Sequence, residues 1–309
     1  MKTDLDIYLA PKSGIVFGDY LASSPNGLVA GVTFEPFTSG DTLWQSNARA
    51  QAVPKPWGVT DVRPWSWSRA DHEGGRVVGE IWYERPSGSA SDSSLLLKLL
   101  FTSQPLSIQV HPDDAYAQGM GLVSGKTEAW YILSAAPGAK IALGLKERLA
   151  PWQLREAVDD GSIVRHVAWR TVLPGDVVLV PAGTIHAIGA GLVIAEIQQR
   201  SDATFRMFDF GRKRDLQVAR AVAVADAGPA DVGLKPKRLT DERTLLASNP
   251  HFAFERIVLA PGSASRRNAR PGCSLSAAAP APGSSPSPRA TPFSRNWTAS
   301  TSCPALTAW

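Results

Sequence analysis

The sequence predicts a mainly β protein, a sandwich or barrel of short strands that carries a few helices. The turn Pro174-Gly175-Asp176 precedes the apolar run Val177–Val180, and the turn Pro181-Ala182-Gly183 is followed by the run Leu192–Gln198. Short strands separated by Gly and Pro turns at this spacing are typical of β sandwiches and barrels. The stretch Leu106–His111 alternates apolar and polar side chains, which is the period of a strand.

The same patterns predict the remaining elements in order. The apolar stretch Gly27–Phe37 fits either a strand or a short helix. Asp113–Leu122 fits a short helix with an aspartate as its N-cap. Pro151–Asp160 has helical spacing, with Pro in the first turn and Gly161 as the stop. Alternating or continuous apolar runs predict four further strands: Gly79–Tyr83, Leu95–Phe101, Ala129–Leu133 and 251–259.

Composition restricts the class of partner. The 309 residues have a pI near 9.1, but residues 261–309 hold five Arg and no Lys, Asp or Glu, which leaves 27 basic against 28 acidic residues elsewhere. This near-neutral body argues against a nucleic-acid partner. The sequence has neither a run of 18 apolar residues nor a signal-like N-terminus, so we expect a cytoplasmic protein with no membrane partner. Cys273 and Cys303 are the only cysteines, so we expect no disulfide framework or thiolate metal site in the main body.

Polar residues at fixed spacings suggest a metal site. Gln109 and His111 lie two apart on a predicted strand and therefore share a face, as do Lys126 and Glu128. The segment Gly175-x5-Pro181-x-Gly183-x2-His186 fits the second motif of the cupin superfamily, whose members are jelly-roll barrels. The first cupin motif normally offers His-x-His and then Glu, and here Gln109-x-His111 and Glu128 stand in those places. Two imidazoles, a carboxylate and an amide oxygen suit Zn²⁺ with an open position.

Each of these residues has a simpler interpretation when it is taken alone. A single strand histidine is more often structural or exposed than a ligand, and a strand glutamine usually has no special role. The joint occurrence of four such residues reverses this preference. The other histidines, His72, His166 and His251, lack comparable partners and are expected to be structural or exposed.

Four separated motifs resemble the type I mannose-6-phosphate isomerase family in its short bacterial form, over roughly residues 10 to 260. The motifs are Leu106–Asp114, Lys126–Tyr131, His186–Gly189 and Gln199–Arg206. The resemblance implies a cupin barrel with one Zn²⁺ per chain, which would be bound by Gln109, His111, Glu128 and His186. It also implies reversible isomerisation of mannose 6-phosphate and fructose 6-phosphate through an enediol, with a small sugar phosphate as the partner.

The resemblance also implies roles for other residues. Arg206 and Lys126 would be catalytic, although Arg206 could instead be a surface ion-pair arginine. The substrate-binding residues would be Ser107, Lys98, Arg212, Glu196 and Asp202. Lys98 could alternatively be an edge-strand lysine, and Arg212 part of a solvated basic run. The position that carries a tyrosine in larger family members is Ile188 here, so a tyrosine base is excluded at that site and the proton-transferring group stays open.

We expect three segments and keep two other functions open. Residues 1–235 would form the metal-binding isomerase domain, 236–262 the start of a second small β domain that is incomplete, and 263–309 a low-complexity, disordered or aberrant tail.

An Fe²⁺ cupin oxygenase is one alternative function. It would share the barrel, although Gln109 stands where an oxygenase usually has His. A sugar-phosphate-binding cupin without turnover is the alternative outside the enzymes.

Overall fold

The computed structural model describes residues 14–24, 27–33, 49–62, 75–84, 94–231, 234–241, 243–259 and 272–278. Four helices lie in this part of the chain: α1 (Asp114–Gly119), α2 (Pro151–Asp159), α3 (Ile163–His166) and α4 (Val218–Val224). The remaining elements are strands, so the predicted mainly β fold class is confirmed.

The strands follow one another in short segments. They are β1 (Gly14–Ser24), β2 (Gly27–Thr33), β3 (Arg49–Val53), β4 (Glu80–Glu84), β5 (Leu95–Thr102), β6 (Ile108–Val110), β7 (Glu128–Ala135), β8 (Lys140–Leu145), β9 (Val167–Thr171), β10 (Val177–Val180), β11 (His186–Ile188), β12 (Leu192–Gln199), β13 (Phe205–Phe208), β14 (Lys237–Arg238), β15 (Arg243–Ser248), β16 (Ala253–Leu259) and β17 (Gly272–Ala278).

Three antiparallel sheets organise these strands. The first sheet has the order β10-β7-β12-β5-β4-β3, and the second has the order β13-β6-β11-β8-β9. Their facing sides share one apolar cluster, to which the first sheet gives Leu100, Trp130 and Ile194 and the second gives Ile141 and Ile188. The two sheets are therefore the walls of the predicted cupin-like barrel, and side chains on their facing sides point into its interior.

The outer faces of the barrel are covered in two different ways. The odd-numbered residues of β5 pack outward against the third sheet, where Leu97 and Phe101 share a cluster with Phe252 and Phe254. The outer face of the second sheet packs against helices, as Ile108 and Val110 do with residues of α2 and α4. Alternation along each strand thus sends one set of side chains to the supporting layers and the other set to the interior, where polar groups such as Lys98 lie beside the shared apolar cluster.

Local signals explain the boundaries of the two predicted helices. The side chain of Asp113 accepts a hydrogen bond from the backbone N–H of Tyr116 at 2.8 Å, so α1 begins with the expected N-cap. Helix α2 begins at Pro151, and the backbone N–H of Ala150 donates to the Gln153 side chain at 2.8 Å. The longest described helix has nine residues, and no helix in the described part of the chain is long and apolar enough to cross a membrane.

The third sheet departs from the predicted partition of the chain. Its order is β14-β15-β16-β17-β1-β2, so strands from residues 14–33 join strands from residues 237–278. The partition had assigned residues 14–33 to the barrel domain. Disorder was predicted throughout 263–309, but Gly272–Ala278 form β17 between β16 and β1; the rest of that predicted tail lies outside the described residues. Strand pairing across such distances along the chain leaves no local sequence signal.

Candidate metal centre and the cavity around it

Three inward-facing side chains of the second sheet form one row. Gln109 on β6 is the register partner of His186 on β11 and also of Arg206 on β13. Their strand neighbours Ile108 and Val110 belong to the outer cluster, which fixes the direction of the row toward the interior. His111, one residue beyond the end of β6, is buried beside this row, and its ring centroid lies 4.8 Å from that of His186.

The first sheet contributes a second polar row from the opposite wall. Glu196 on β12 is the register partner of Lys98 on β5 and of Trp130 on β7. Glu128, two residues before Trp130, shares its face. Because β5 lies between β4 and β12 and the Lys98 side chain is only 9% exposed, the interpretation of Lys98 as an edge-strand lysine is wrong.

Both histidines have one ring nitrogen bonded to the backbone and the other facing the interior. Nδ1 of His111 donates to the carbonyl of Ala203 at 2.8 Å, and Nδ1 of His186 donates to the carbonyl of Thr184 at 2.9 Å. This tautomer, assigned from the hydrogen bonds, leaves Nε2 as a lone-pair donor in each ring. Burial lowers the pKa of His111 to about 3, with the Lys126 ammonium acting in the same direction, and burial also lowers the pKa of His186. Both rings are therefore neutral at pH 7.

Glu128 is the centre of the cluster. Its Oε1 lies 3.2 Å from Nε2 of His111 and 2.9 Å from Nζ of Lys126, and its Oε2 lies 3.9 Å from Nε2 of His186. Burial opposes ionisation of Glu128, but the Lys126 ammonium and the neighbouring His111 ring together outweigh burial and hold the pKa of this carboxyl well below its usual range. Burial likewise opposes the charge on Lys126, and the attraction of Glu128 and then Glu196 raises the pKa of the amine above its ordinary value. Both side chains are charged.

A glycine permits the approach that positions this ion pair. A Cβ built on Gly125 would lie 2.4 Å from the backbone carbon of Asp113, closer than atoms can pack. The next residue, Lys126, donates its backbone N–H to the carbonyl of Pro112 at 3.0 Å. The start of β7 is thereby fixed against the segment that follows His111, which places the Lys126 and Glu128 side chains beside that ring.

The donor set fits a metal ion. The ligand atoms of His111, Glu128 and His186 all lie within 4.8 Å of one another and are buried. Ligands bound to zinc at about 2.0 to 2.2 Å in a tetrahedral site would lie roughly 3.3 to 3.6 Å apart, so small side-chain rotations suffice. Nε2 of His111 has no hydrogen-bond partner among the described residues, and its contact with the Glu128 carboxylate opposes two acceptors with no proton between them. A cation between these groups would satisfy both.

Gln109 lies beside this metal cluster, as we shall call His111, Glu128 and His186. Its amide Nε2 lies 3.2 Å from Nε2 of His186, and its Oε1 accepts a hydrogen bond from the Ser107 hydroxyl at 2.9 Å. Since Nε2 of His186 bears a lone pair, the amide nitrogen is the donor in this contact. Rotation of the amide by half a turn would exchange the oxygen and the nitrogen. Gln109 stays a predicted ligand.

A charged network continues from the cluster along the first sheet. Nζ of Lys98 donates to Oε1 of Gln198 at 2.7 Å and lies 3.5 Å from Glu196 and 3.9 Å from Glu80. The indole N–H of Trp130 donates to Glu196 at 3.0 Å. Burial and the repulsion of Glu128, partly opposed by Lys98, raise the pKa of Glu196 to about 7. This carboxyl can therefore both take up and release a proton near neutral pH.

These groups line one cavity of about 260 Å³ between the two sheets. Seven of the predicted site residues line it: Lys98, Gln109, Lys126, Glu128, Glu196, Asp202 and Arg206. Two predicted substrate residues do not. Ser107 is buried and donates to Gln109, and Arg212 donates to Asp209 at 2.9 Å and to the carbonyl of Pro105 at 2.8 Å. All of these roles stay predictions.

Sequence patterns did not identify some of the residues that line the cavity. The residues concerned are Lys55, Trp57, Glu80, Trp82 and Arg214. They come from three separate segments and match no spacing pattern. The Pro- and Trp-rich stretch at Pro54-Lys55-Pro56-Trp57 was recognisable as non-helical, but nothing in it indicated that it would reach the interior of a barrel.

The solvent-facing part of this wall is cationic. We name Lys55, Trp57, Arg206 and Arg214 the cationic mouth, because the side chains of Lys55 and Arg214 are 27% and 26% exposed whereas that of Glu128 is 2% exposed. Desolvation, and then the neighbouring charge of Arg214, lowers the pKa of Arg206. The two guanidinium groups are thus close enough to repel one another, which favours an anion between them.

Comparison with known proteins supports the resemblance. The mannose-6-phosphate isomerase of Streptococcus mutans is 41% identical over 170 residues, which are 51% of this chain and 52% of that protein. The crystal structure of the mannose 6-phosphate isomerase from Bacillus subtilis has a TM-score of 0.60 at 25% identity, over 69% of this chain and 80% of that one. A zinc-bound mannose 6-phosphate isomerase has a TM-score of 0.55 at 13% identity, over 75% of this chain and 96% of that one, a likeness of fold alone.

The extent of these matches is limited. No family model matches the chain. The chain spans about half the length of the curated relatives it matches, 51 to 58% in the four cases, at 36 to 41% identity. Within that extent, the resemblance to mannose-6-phosphate isomerases that the four motifs predicted is confirmed.

Proposed function

We propose that this relative of the mannose-6-phosphate isomerases is itself a zinc-dependent aldose–ketose isomerase that interconverts mannose 6-phosphate and fructose 6-phosphate. The observation that carries the proposal is the metal cluster, in which the neutral His111 ring and the Glu128 carboxylate oppose their lone pairs without a proton between them, with Nε2 of His186 3.9 Å from the same carboxylate. This cluster adjoins a cavity lined by cations and buried carboxylates. A sugar phosphate combines hydroxyl groups with an anion and matches such a lining.

His111, Glu128 and His186 would hold the metal, with Gln109 as the fourth ligand after rotation of its amide. Zinc suits a set of nitrogen and oxygen ligands and, when bound, supplies a Lewis acid that polarises or orients substrate oxygens without redox chemistry. The described part of the chain contains one such cluster, which corresponds to one ion per chain. The Gln109 oxygen in place of a third imidazole is the reason to prefer zinc to the iron of an oxygenase.

Glu196 is the best-placed group for moving a proton between C1 and C2 of the sugar. Its carboxyl lines the cavity, and Trp130 and Lys98 hold it from two neighbouring strands. General acid–base catalysis is most efficient when the pKa lies near the working pH. The pKa of about 7 meets this condition, whereas that of an ordinary glutamate does not.

Lys126 and Arg206 would stabilise the oxyanion that develops as the enediol forms. The Lys126 ammonium, 2.9 Å from Glu128, stays protonated and lies beside the metal cluster. Arg206 is the register partner of Gln109, so its guanidinium enters the cavity from the same sheet as the ligands. Fixed charges in a water-poor site stabilise developing charge without having to reorganise, and an arginine keeps its charge throughout.

The test is a coupled assay of fructose 6-phosphate formation from mannose 6-phosphate with Zn²⁺ present, together with metal analysis of the purified protein. We expect turnover, about one zinc per chain, loss of activity on chelation and recovery on adding zinc. Bound iron with oxygen consumption would instead support an oxygenase. Calorimetric binding of mannose 6-phosphate without conversion would support a non-catalytic binding protein, and a folded, zinc-loaded chain that neither binds nor converts it would contradict the proposal.

A further inference from the structure

The phosphate of the proposed substrate requires a binding group that the metal cluster does not supply. A phosphomonoester carries close to two negative charges at pH 7 and is bound by clustered cations and hydrogen-bond donors. The resemblance assigns this task to Ser107, Lys98 and Arg212. Their contacts in the structure decide whether they are free to perform it.

All three of these groups are already engaged. Nζ of Lys98 is shared by Gln198 and the carboxylates of Glu196 and Glu80, which more than neutralise it. The Ser107 hydroxyl, in a side chain that is buried, donates to Gln109. A dianion at Lys98 would also meet two carboxylates, which repel it.

Arg212 is engaged outside the cavity lining. Its Nε and Nη2 atoms both donate to Asp209, and Nη2 donates to the carbonyl of Pro105 as well. It is absent from the side chains that line the cavity in the described part of the chain. A phosphate in the cavity would therefore not meet the Arg212 side chain, whereas Arg214, which donates to the same Asp209 carboxylate, does line the cavity.

Within the part of the chain that the structure describes, the cationic mouth offers an unpartnered buried donor that these groups lack, and its Lys55 lies 3.5 Å from a single carboxylate, that of Glu80, whereas Lys98 lies between two. Trp57 is 5% exposed, and its indole Nε1–H is buried with no hydrogen-bond partner among the described residues. Two cations approach its ring: Nζ of Lys55 lies 5.7 Å from the ring centroid, and Cζ of Arg214 lies 4.9 Å from it. A buried donor without an acceptor is costly, and here it belongs to a ring that two positive charges approach.

Arg214 is held in position while part of its guanidinium stays available. Its Nε and Nη2 atoms both donate to the Asp209 carboxylate, Nε at 2.7 Å. This two-point contact fixes the plane of the guanidinium and leaves Nη1 without a partner in the described structure. The neighbouring Arg206 likewise has a buried Nε–H without a described partner. Two guanidinium groups with unused donors thus line the same wall.

We propose that the phosphate of the hexose phosphate is bound at the cationic mouth, by Arg214 with Lys55 and the indole N–H of Trp57, and that Arg214 determines specificity for the phosphorylated sugar. The inference rests on the proposed function and adds its phosphate subsite. The sugar would then extend from the mouth toward Glu196 and the metal cluster. Arg206 would lie between the cationic mouth and the metal cluster, because it is the register partner of Gln109 and is also affected by the charge of Arg214.

The test measures binding rather than turnover, so it can succeed or fail independently of isomerase activity. Calorimetry with the full chain gives the dissociation constants of inorganic phosphate and mannose 6-phosphate for the wild type and for Arg214→Gln. We expect binding of both to weaken about 10- to 100-fold, as for the loss of hydrogen bonds to a charged group. The matched control is Lys213→Gln, which removes the same charge from the exposed adjacent residue and should leave both constants unchanged.

Two further variants keep the inference testable if Arg214→Gln does not fold, which circular dichroism would reveal. Trp57→Phe keeps the ring but removes the unpaired N–H, and it should weaken phosphate binding about two- to tenfold. Lys55→Gln should weaken it about as much. Unchanged phosphate binding in folded Arg214→Gln, or a greater loss in Arg212→Gln than in Arg214→Gln, would overturn the inference. Phosphate binding that depends on Arg214 in a chain without turnover would support the subsite while contradicting the isomerase.

Discussion

The two ends of the cavity are built on different physical principles. At the metal cluster, each histidine is neutral, buried and fixed by a backbone carbonyl, and the one carboxylate is held by Lys126. At the cationic mouth, partly exposed side chains are oriented by other side chains, as Arg214 is by Asp209 and Trp57. The cluster is thus preorganised and almost inaccessible to water, whereas the mouth is screened by solvent. Substitutions in the cluster should have the larger effects.

Replacement of His186 by Ala should have the largest effect. The substitution removes one of the three side chains of the metal cluster and leaves the buried Glu128 carboxylate with the His111 imidazole alone. We expect loss of bound zinc and a fall in isomerase activity of at least about a thousandfold, since both the ion and its positioning are lost. Metal analysis and the coupled assay measure the two effects in one sample.

His166→Ala is the matched control for this variant. His166 ends α3, is half-buried and contacts no member of the cluster. Zinc content and activity should both survive there. If His186→Ala kept its zinc and its activity, the ligand assignment would be wrong.

Replacement of Glu196 by Gln should affect the chemical step while sparing the metal. The amide keeps the shape and can still accept from Trp130, but it cannot take up a proton. We expect kcat to fall about 10²- to 10⁴-fold with zinc content unchanged and little change in the affinity for mannose 6-phosphate. Glu156→Gln, at an exposed position of α2, is the control. A kcat within about threefold of the wild type would assign the proton transfer to another group.

The pH dependence of kcat should report on the same carboxylate. Burial and Glu128 raise its pKa to about 7, so the basic form that accepts a proton is depleted below this pH. The activity should therefore fall as the pH drops through 7. The groups that surround Glu196 are Glu128, Lys98, Lys126 and Glu80, and Lys98 lowers the pKa.

Lys98→Met separates this titration from that of the substrate phosphate, whose second pKa is about 6. Removal of the nearby cation should raise the pKa of Glu196 and move the acidic limb of the kcat profile to higher pH. Lys213→Met, in the exposed basic run and not among the groups that shift the pKa of Glu196, should leave the acidic limb in place. If the acidic limb of the kcat profile lies at the same pH in both variants as in the wild type, the titration belongs to the substrate or to another residue.

The difference between the two ends also determines what sequence could predict. Gln109, His111, Glu128 and His186 lie on strands or directly beside them, where the period of two and the fixed turn Pro181-Ala182-Gly183 determine which residues share a face. The alternation that identified the strands therefore also indicated the cluster, although β6 is only three residues long.

The residues of the cationic mouth have no comparable pattern in the sequence, because they are brought together only by the closure of the barrel. Trp57, Glu80 and Arg214 come from segments more than twenty residues apart and have no common period. Arg212 and Arg214 are indistinguishable in the run Arg212-Lys213-Arg214, and in the structure both donate to Asp209. They differ because Arg212 also donates to the carbonyl of Pro105, whereas Arg214 approaches the ring of Trp57 and lines the cavity. The strands β1, β2 and β17 were not assigned to the predicted second β domain for a similar reason, since strands from both ends of the chain meet in the third sheet.

Replacement of Ser107 by Ala should have the smallest effect, and it separates the two ends most sharply. The resemblance makes Ser107 a phosphate contact, which predicts weaker binding of mannose 6-phosphate in the variant. The structure instead gives its hydroxyl to Oε1 of Gln109 at 2.9 Å and leaves it out of the cavity wall. Loss of this bond frees the Gln109 amide, so we expect zinc to bind about tenfold more weakly while the affinity for inorganic phosphate stays unchanged.

Competition with a zinc chelator measures the first quantity, and calorimetry measures the second. Ser134→Ala, which removes the same hydroxyl from β7 outside the cavity lining, should change neither. The opposite outcome, an unchanged zinc affinity with phosphate binding weakened tenfold, would move the phosphate from the cationic mouth to the metal end. Because zinc and phosphate are measured separately, the variant shows which end of the cavity Ser107 supports, even though its total effect on activity is small.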